Sequence, residues 1–183
     1  MSLPTLDREL DLIRSCVRDV PNFPKPGILF KDITPLLQNP NARLQVVKKM
    51  ANYYQAEKID VIAAIEARGF LFGILLAQEL KIPFVPIRKA GKLPYARKTA
   101  AYSLEYGTAS IEMHEDAFVP GSRVLIHDDV LATGGTAAAA GSLVQSLGGE
   151  LVGFSFIIDL TFLGGSINLS RQFGVHQHSL LTY

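Results

Sequence analysis

Apolar residues near the start of the chain fall at Leu3, Leu6, Leu10, Ile13 and Val17. Gaps of three and four residues place them on one face of a helix, so Leu3–Arg18 is predicted as amphipathic helix. The following stretch, PNFPKPGILF, holds three prolines and a glycine, which forbid helix and favour an extended, partly rigid path. Asn41–Glu57 again carries a helical period. From there the pattern alternates. Ile59–Ile65 is a β-branched apolar run bounded by Ala-Arg-Gly and reads as a buried strand; Phe70–Leu80 reads as a helix, and Ile82–Ile87 and Arg123–Ile126 as further strands. Thr136–Leu147 is a small-residue helix stopped by Gly148-Gly149, and Leu151–Ile158 one more strand. Strand and helix in this rhythm predict an α/β fold: a central, mostly parallel sheet flanked by helices on both faces.

The rhythm breaks between Arg88 and Ser110, where KAGKLPYARKTAAYSLEYG is basic and glycine-dotted, with no clean helical period. It reads as a long excursion from the sheet with a hairpin around Tyr102–Ile111, and residues ~90–108 form a candidate lid, since long loops in compact domains are commonly functional. Gly164–Tyr183 is too weakly patterned to assign.

Composition narrows the function classes. The chain has 183 residues, 48% of them hydrophobic and 19% charged, enough for one domain, 1–183, with a true core. A net charge of +1 gives no bulk attraction to nucleic acid or to an anionic membrane. The longest apolar runs, Val61–Ile65 and Phe70–Ala77, fall far short of the ~20 residues a membrane span needs. The single cysteine, Cys16, and a polar, acidic start point to a reducing, cytoplasmic setting.

The most specific chemistry lies in Val124–Thr136, VLIHDDVLATGGT. A strand running into a Thr- and Gly-rich turn and then a helix leaves free N–H groups at the positive end of the helix dipole, a seat for an oxyanion. Gly134 and Gly135 allow tight closure around it, and Thr133 and Thr136 add hydroxyl donors. Asp128 and Asp129, at the carboxyl edge of the strand, would face the same crevice and accept hydrogen bonds from a sugar diol. The segment lacks the GK[ST] ending of a nucleoside triphosphate loop and the G-x-G-x-x-G of a dinucleotide site.

This segment resembles the signature of the type I phosphoribosyltransferases. The resemblance implies that Ala132, Thr133, Gly134, Gly135 and Thr136 surround a 5-phosphate and that Asp128 and Asp129 take the ribose hydroxyls. His127 stands where many relatives carry an aliphatic residue and reads as a strand-end variant without chemistry. Hypoxanthine–guanine members carry an acid at the position of Ala132. Its absence, together with FPKPGILFKDITPLL (Phe23–Leu37), ARGFLFG (Ala67–Gly73), IRKAGKLP (Ile87–Pro94) and YSLEYG (Tyr102–Gly107), narrows the resemblance to the adenine-using branch.

That branch implies conversion of adenine and 5-phospho-α-D-ribose 1-diphosphate (PRPP) to AMP and diphosphate. It implies an N-terminal hood, about residues 1–36, with Leu29, Phe30 and Lys31 over adenine; alone, Phe30 would read as ordinary core. Arg68, in a diphosphate loop Glu66–Gly69 that often holds a cis bond, and Arg88, Lys89 and Lys92 are the expected diphosphate contacts. Arg88 is the candidate to cross a homodimer interface. Without that lineage, these charges would read as solvated surface. Glu105 is left as the group that handles the proton of the base, with Tyr106 sealing a flexible catalytic loop; burial against the purine would raise the Glu105 pKa into a useful range. Mg2+ is the implied cofactor, held mainly by substrate oxygens, with no direct protein ligand assigned. A transferase for another purine, or a non-catalytic regulator that senses the donor, are the competing readings. His176 and His178 lack a third ligand for a metal; Asp159, at a strand end, is a weak metal neighbour; His114 and Cys16 suggest no chemistry.

Overall fold

The structure, a computed structural model, describes residues 7–103 and 107–183. The chain divides into two units, residues 1–49 and 50–183.

In the first unit, α1 (Arg8–Ser15) begins where Asp7 accepts hydrogen bonds from the N–H groups of Glu9 and Leu10, both at 3.2 Å. Its described part is shorter than the apolar spacing predicts, because Arg18 already belongs to strand β1 (Arg18–Pro21). β1 pairs antiparallel with β2 (Leu29–Asp32), in a register that sets Arg18 opposite Asp32 and Asp19 opposite Lys31. Both cross-strand pairs close as ion pairs, at 2.5 Å and 2.6 Å. The loop between the strands carries Pro24 and Pro26 and a cis Phe23–Pro24 bond. Asn22 and Gly27 both have positive φ, and the Gly27 N–H donates to Asn22 Oδ1. A short helix α2 (Thr34–Gln38) follows. Asn39 then caps α3 (Pro40–Tyr54) by accepting from the N–H groups of Asn41 and Ala42.

The second unit is built on a seven-stranded sheet. Its strands are β3 (Val61–Ile65), β4 (Phe84–Lys89), β5 (Arg97–Ser103), β6 (Thr108–His114), β7 (Arg123–Leu131), β8 (Glu150–Asp159) and β9 (His176–Thr182), in the order β5-β6-β4-β3-β7-β8-β9. The five strands from β4 to β9 pair in parallel, while β5 and β6 form an antiparallel extension at one edge. Parallel strands need both faces covered, and the apolar run of β3, buried at every position, meets that need. α5 (Gly135–Ser146) packs over Ala63, Ile65, Ile126, Phe154 and Phe156. α4 (Arg68–Leu80) lies against the alternate set, over Ala64 and His127, where Gly73 allows close approach. α6 (Gly165–Phe173) follows a 3-10 turn, Thr161–Leu163.

Three differences from the sequence reading have physical causes. β7 does not end at Ile126 but continues through both acids to Leu131, because its ladder with β8 runs on to Leu131–Asp159. The basic excursion is mostly sheet: the hairpin expected around Tyr102–Ile111 pairs from Arg97–His114 inward to Ser103–Thr108. The unassigned tail supplies α6 and β9, which pairs in parallel with β8.

Candidate active site

In parallel α/β sheets, ligands bind beyond the carboxyl ends of the strands. Here β7 delivers Asp128 and Asp129 to that edge and turns into α5 through Ala132–Gly134. Gly134 caps the helix with φ 86°, a left-handed conformation suited to glycine, and among the described residues no side chain caps α5. The first-turn N–H groups of a helix have no partners within it, so the turn faces outward with unspent donors. The turn closes around a small cavity of about 90 Å³, lined by Asp128 and Val130, Ala132–Ala137 and Phe156. Among the described residues the lining includes no lysine or arginine, so its attraction for an anion comes from backbone and hydroxyl dipoles.

Of the two adjacent acids, Asp129 is buried and Asp128 half-buried. Asp128 is pushed well above the ordinary carboxylate range, first by burial and then by the charge of Asp129. Burial also raises Asp129, with Arg68 opposing. Arg68, the first residue of α4, pairs its Nε with Asp129 Oδ2 at 2.5 Å. Holding two full negative charges side by side is therefore costly here, and Arg68 offsets part of that cost at Asp129. Gly69 makes this proximity possible, since a Cβ there would lie 2.9 Å from Asp128 Oδ1 and 3.0 Å from the His127 carbonyl oxygen.

The basic residues near β4 are organised by a second carboxylate. Glu66, at the end of β3, receives Lys92 Nζ at 2.9 Å, Arg88 Nε at 3.2 Å and the Lys89 N–H at 3.0 Å. Burial would raise its pKa, but these donors outweigh it and hold Glu66 down to about 2. The bond from Glu66 to Ala67 is cis. Glu112 of β6, 1% exposed, pins the same turn from the other side. It accepts from the N–H groups of Lys92 and Leu93 and pairs with Arg97. Sequence reasoning passed over Glu112; the available signal was an acid between two buried apolar neighbours, Ile111 and Met113.

The expected site residues thus fall into separate groups. Asp128, Asp129 and Ala132–Thr136 form one continuous turn, with Arg68 on Asp129, while Arg88, Lys89 and Lys92 gather on Glu66. Leu29, Phe30 and Lys31 belong to the first unit. Leu29 is 46% exposed, and Phe30 stacks edge-on with Phe23 at 5.2 Å. Lys31 is buried and turned onto Asp19, so its ammonium already has a partner. Glu105 and Tyr106 lie outside the described residues. His127 is fully buried within β7 rather than at a strand end. Burial holds its pKa down to about 4, so it is neutral at pH 7, with Nδ1 3.4 Å from Ser155 Oγ. His178 stacks on Tyr53 at 3.6 Å, and no group of three potential metal-ligating side chains occurs among the described residues. Nor is any helix of the described residues long and apolar enough to cross a membrane.

Sheet, uncapped helix and acid pair together define an α/β protein with an anion-receptive turn at the carboxyl end of β7. The phosphoribosyl transferase domain family matches residues 32–160. An adenine phosphoribosyltransferase of Sorangium cellulosum is 50% identical over 94% of this chain and 86% of its own length. The crystal structure of adenine phosphoribosyltransferase from Thermoanaerobacter pseudethanolicus superposes with a TM-score of 0.91 at 48% identity, covering 95% of this chain and 99% of that one. The Saccharomyces cerevisiae enzyme, crystallised with adenine and an imino-altritol bisphosphate, gives a TM-score of 0.88 at 38% identity over 96% of this chain and 100% of that one. The chain belongs to the phosphoribosyl transferase family and, within it, to the adenine phosphoribosyltransferases. Its reaction is that of the group: adenine and PRPP give AMP and diphosphate.

Proposed function

We propose that this chain seats the 5-phosphate of PRPP on Ala132–Thr136 and the ribose hydroxyls on Asp128 and Asp129. The observation that carries this reading is the uncapped start of α5, closed around a small cavity that Asp128 lines, with Asp129 next to it in the chain. Arg68, Arg88, Lys89 and Lys92 take the diphosphate. Two of the three β4-side cations already sit on one carboxylate, which supports their acting as a unit. Leu29, Phe30 and Lys31 form the hood over adenine. The Asp19–Lys31 pair suggests that Lys31 serves by holding β2 in place, leaving Leu29, Phe30 and the backbone to meet the base. We read residues 1–183 as one functional domain with this hood at its start.

The bond between ribose C1 and the diphosphate oxygen breaks, and its electron pair leaves with diphosphate. Adenine N9 forms the new bond to C1, and its proton passes to Glu105. Asp128 and Asp129 hold the sugar in place and oppose its developing positive charge, an electrostatic contribution that grows toward the transition state. Closure of residues ~90–108, with Tyr106 at the seal, excludes the water that would otherwise hydrolyse PRPP. Mg2+, when bound, neutralises diphosphate charge; the acid pair fits a metal that keeps mostly substrate and water oxygens, as Mg2+ prefers. A homodimer with Arg88 near its interface, and a cytoplasmic setting suited to the free Cys16, complete the reading.

A crystal grown with AMP tests it. The 5-phosphate is expected on the N–H groups of Thr133–Thr136, with ribose oxygens on Asp128 and Asp129. Phosphate density anywhere else would overturn the assignment.

A further inference from the structure

The phosphate turn does not stand alone. The chain returns from β8 so that the start of α6 packs directly on it. A Cβ on Gly165 would sit 2.2 Å from the Ala132 carbonyl oxygen and 2.9 Å from Leu131 Cδ1. From the other side, a Cβ on Gly134 would come within 3.1 Å of the Gly165 carbonyl oxygen. Asn168, one turn into α6, donates from Nδ2 to the Thr133 carbonyl oxygen at 3.2 Å. The Leu160 N–H donates to the Leu131 carbonyl at 2.9 Å and fixes where the connection leaves β8.

These contacts determine which way the turn's donors point. In a planar trans peptide the C=O and N–H are directed oppositely. The carbonyls of Ala132 and Thr133 are turned toward α6, so the N–H groups of the same two peptides, those of Thr133 and Gly134, are turned away from it. Successive N–H groups on one side of a turn form an anion-binding concavity. Without the brace, the Thr133–Gly134 peptide could flip and aim its carbonyl at the anion instead, since glycine imposes little resistance.

We infer that Gly165 and Asn168 are positioning residues for PRPP: the start of α6 orients the Thr133 and Gly134 peptides that receive the 5-phosphate. The inference rests on the phosphate assignment above. It gives the C-terminal segment, which the sequence left without a role, a place in the donor site.

Steady-state kinetics of Asn168→Ala, Asn168→Asp, Gly165→Ala and Thr136→Ala, with adenine and PRPP varied separately, test it. Asn168 is exposed, so its variants should fold, and aspartate keeps the shape while removing the donated hydrogen. The KM for PRPP should rise about 3- to 10-fold in both Asn168 variants, the scale of one lost hydrogen bond. The rise should be about tenfold or more in Gly165→Ala. KM for adenine and kcat should stay within about twofold of the parent, a split that general loosening would not produce. An unchanged KM for PRPP in the Asn168 variants, or equal losses on both substrates, overturns the brace. Thr136→Ala separates the two ideas. If it raises KM for PRPP while the α6 variants do not, the brace alone fails; if it has no effect, the phosphate assignment fails.

Discussion

Gly73→Ala tests how closely α4 must lie on the sheet. A Cβ at this buried position would lie 2.6 Å from Ala64 Cβ and 3.2 Å from Phe84 Cε2. Carbon atoms in contact prefer roughly 3.5–4 Å, so helix and strand would have to separate by about 1 Å. Ala64 Cβ is bonded directly to the backbone of a fully buried central strand and has no rotamer with which to yield. Replacing glycine by alanine inside a helix gains about 1 kcal/mol from propensity, whereas overpacking a dense core costs about 1–3 kcal/mol. With a rigid partner the upper part of that range applies, giving a net loss of about 1–2 kcal/mol. The urea midpoint should fall while the slope of the transition stays constant. Ala64→Gly should be destabilising in the parent yet restore much of the loss when combined with Gly73→Ala, giving a coupling of about 1–2 kcal/mol between touching sites. A Gly73→Ala protein as stable as the parent, or strictly additive single and double variants, would refute the packing argument.

Two further outcomes follow from the acids. Glu66→Gln should cost about 1–2 kcal/mol at neutral pH, a figure held down because Lys92 and Arg88 are partly in water. Because the folded pKa of Glu66 is depressed to about 2 from 4.5, its stabilisation is complete above about pH 4.5 and is lost as pH falls toward 2. The gap between parent and variant in urea midpoint should narrow over that window, and a gap unchanged between pH 7 and pH 3 would contradict the assignment. Glu105→Ala should lower kcat about 10²- to 10⁴-fold, as expected for loss of a general base, with PRPP binding by calorimetry nearly intact. Unimpaired turnover would remove Glu105 from the mechanism.

Regular periodicity made the central elements legible in the sequence. β3, α4, β4, α5 and β8 fall within a few residues of where alternation and helical spacing put them, because burial on both sheet faces demands continuous apolar runs. The misses occur where long-range pairing overrides local pattern. Asp128 and Asp129 look like the end of a strand by hydropathy, yet the β8 ladder carries the strand past them. β9, with two histidines, a glutamine and a serine, has no apolar run to announce it and exists because β8 offers an edge. The Ala132–Thr136 turn was readable because its chemistry is local: glycine, threonine and acid at fixed spacing. The pairing of Lys31 with Asp19, of Arg68 with Asp129 and of Arg88 and Lys92 with Glu66 was not, because each depends on side chains brought together by strand register or by sheet order.

Those pairings bear on how a nearly neutral protein handles a multiply charged donor. In the proposed seating, the two ends of PRPP would meet different kinds of positive potential. At the 5-phosphate end the attraction would come from oriented peptide dipoles, with no cation among the described lining residues. At the diphosphate end it would come from full charges, each of Arg68, Arg88 and Lys92 resting on a largely buried carboxylate. A cation held by a carboxylate is already oriented and partly desolvated, so engaging diphosphate demands less reorganisation than gathering a free side chain from water. The same carboxylate weakens the field the diphosphate feels, which keeps a departing product from being held too tightly. Fixed dipoles suit the phosphate that stays on the nucleotide through the reaction; screened charges suit the one that must leave.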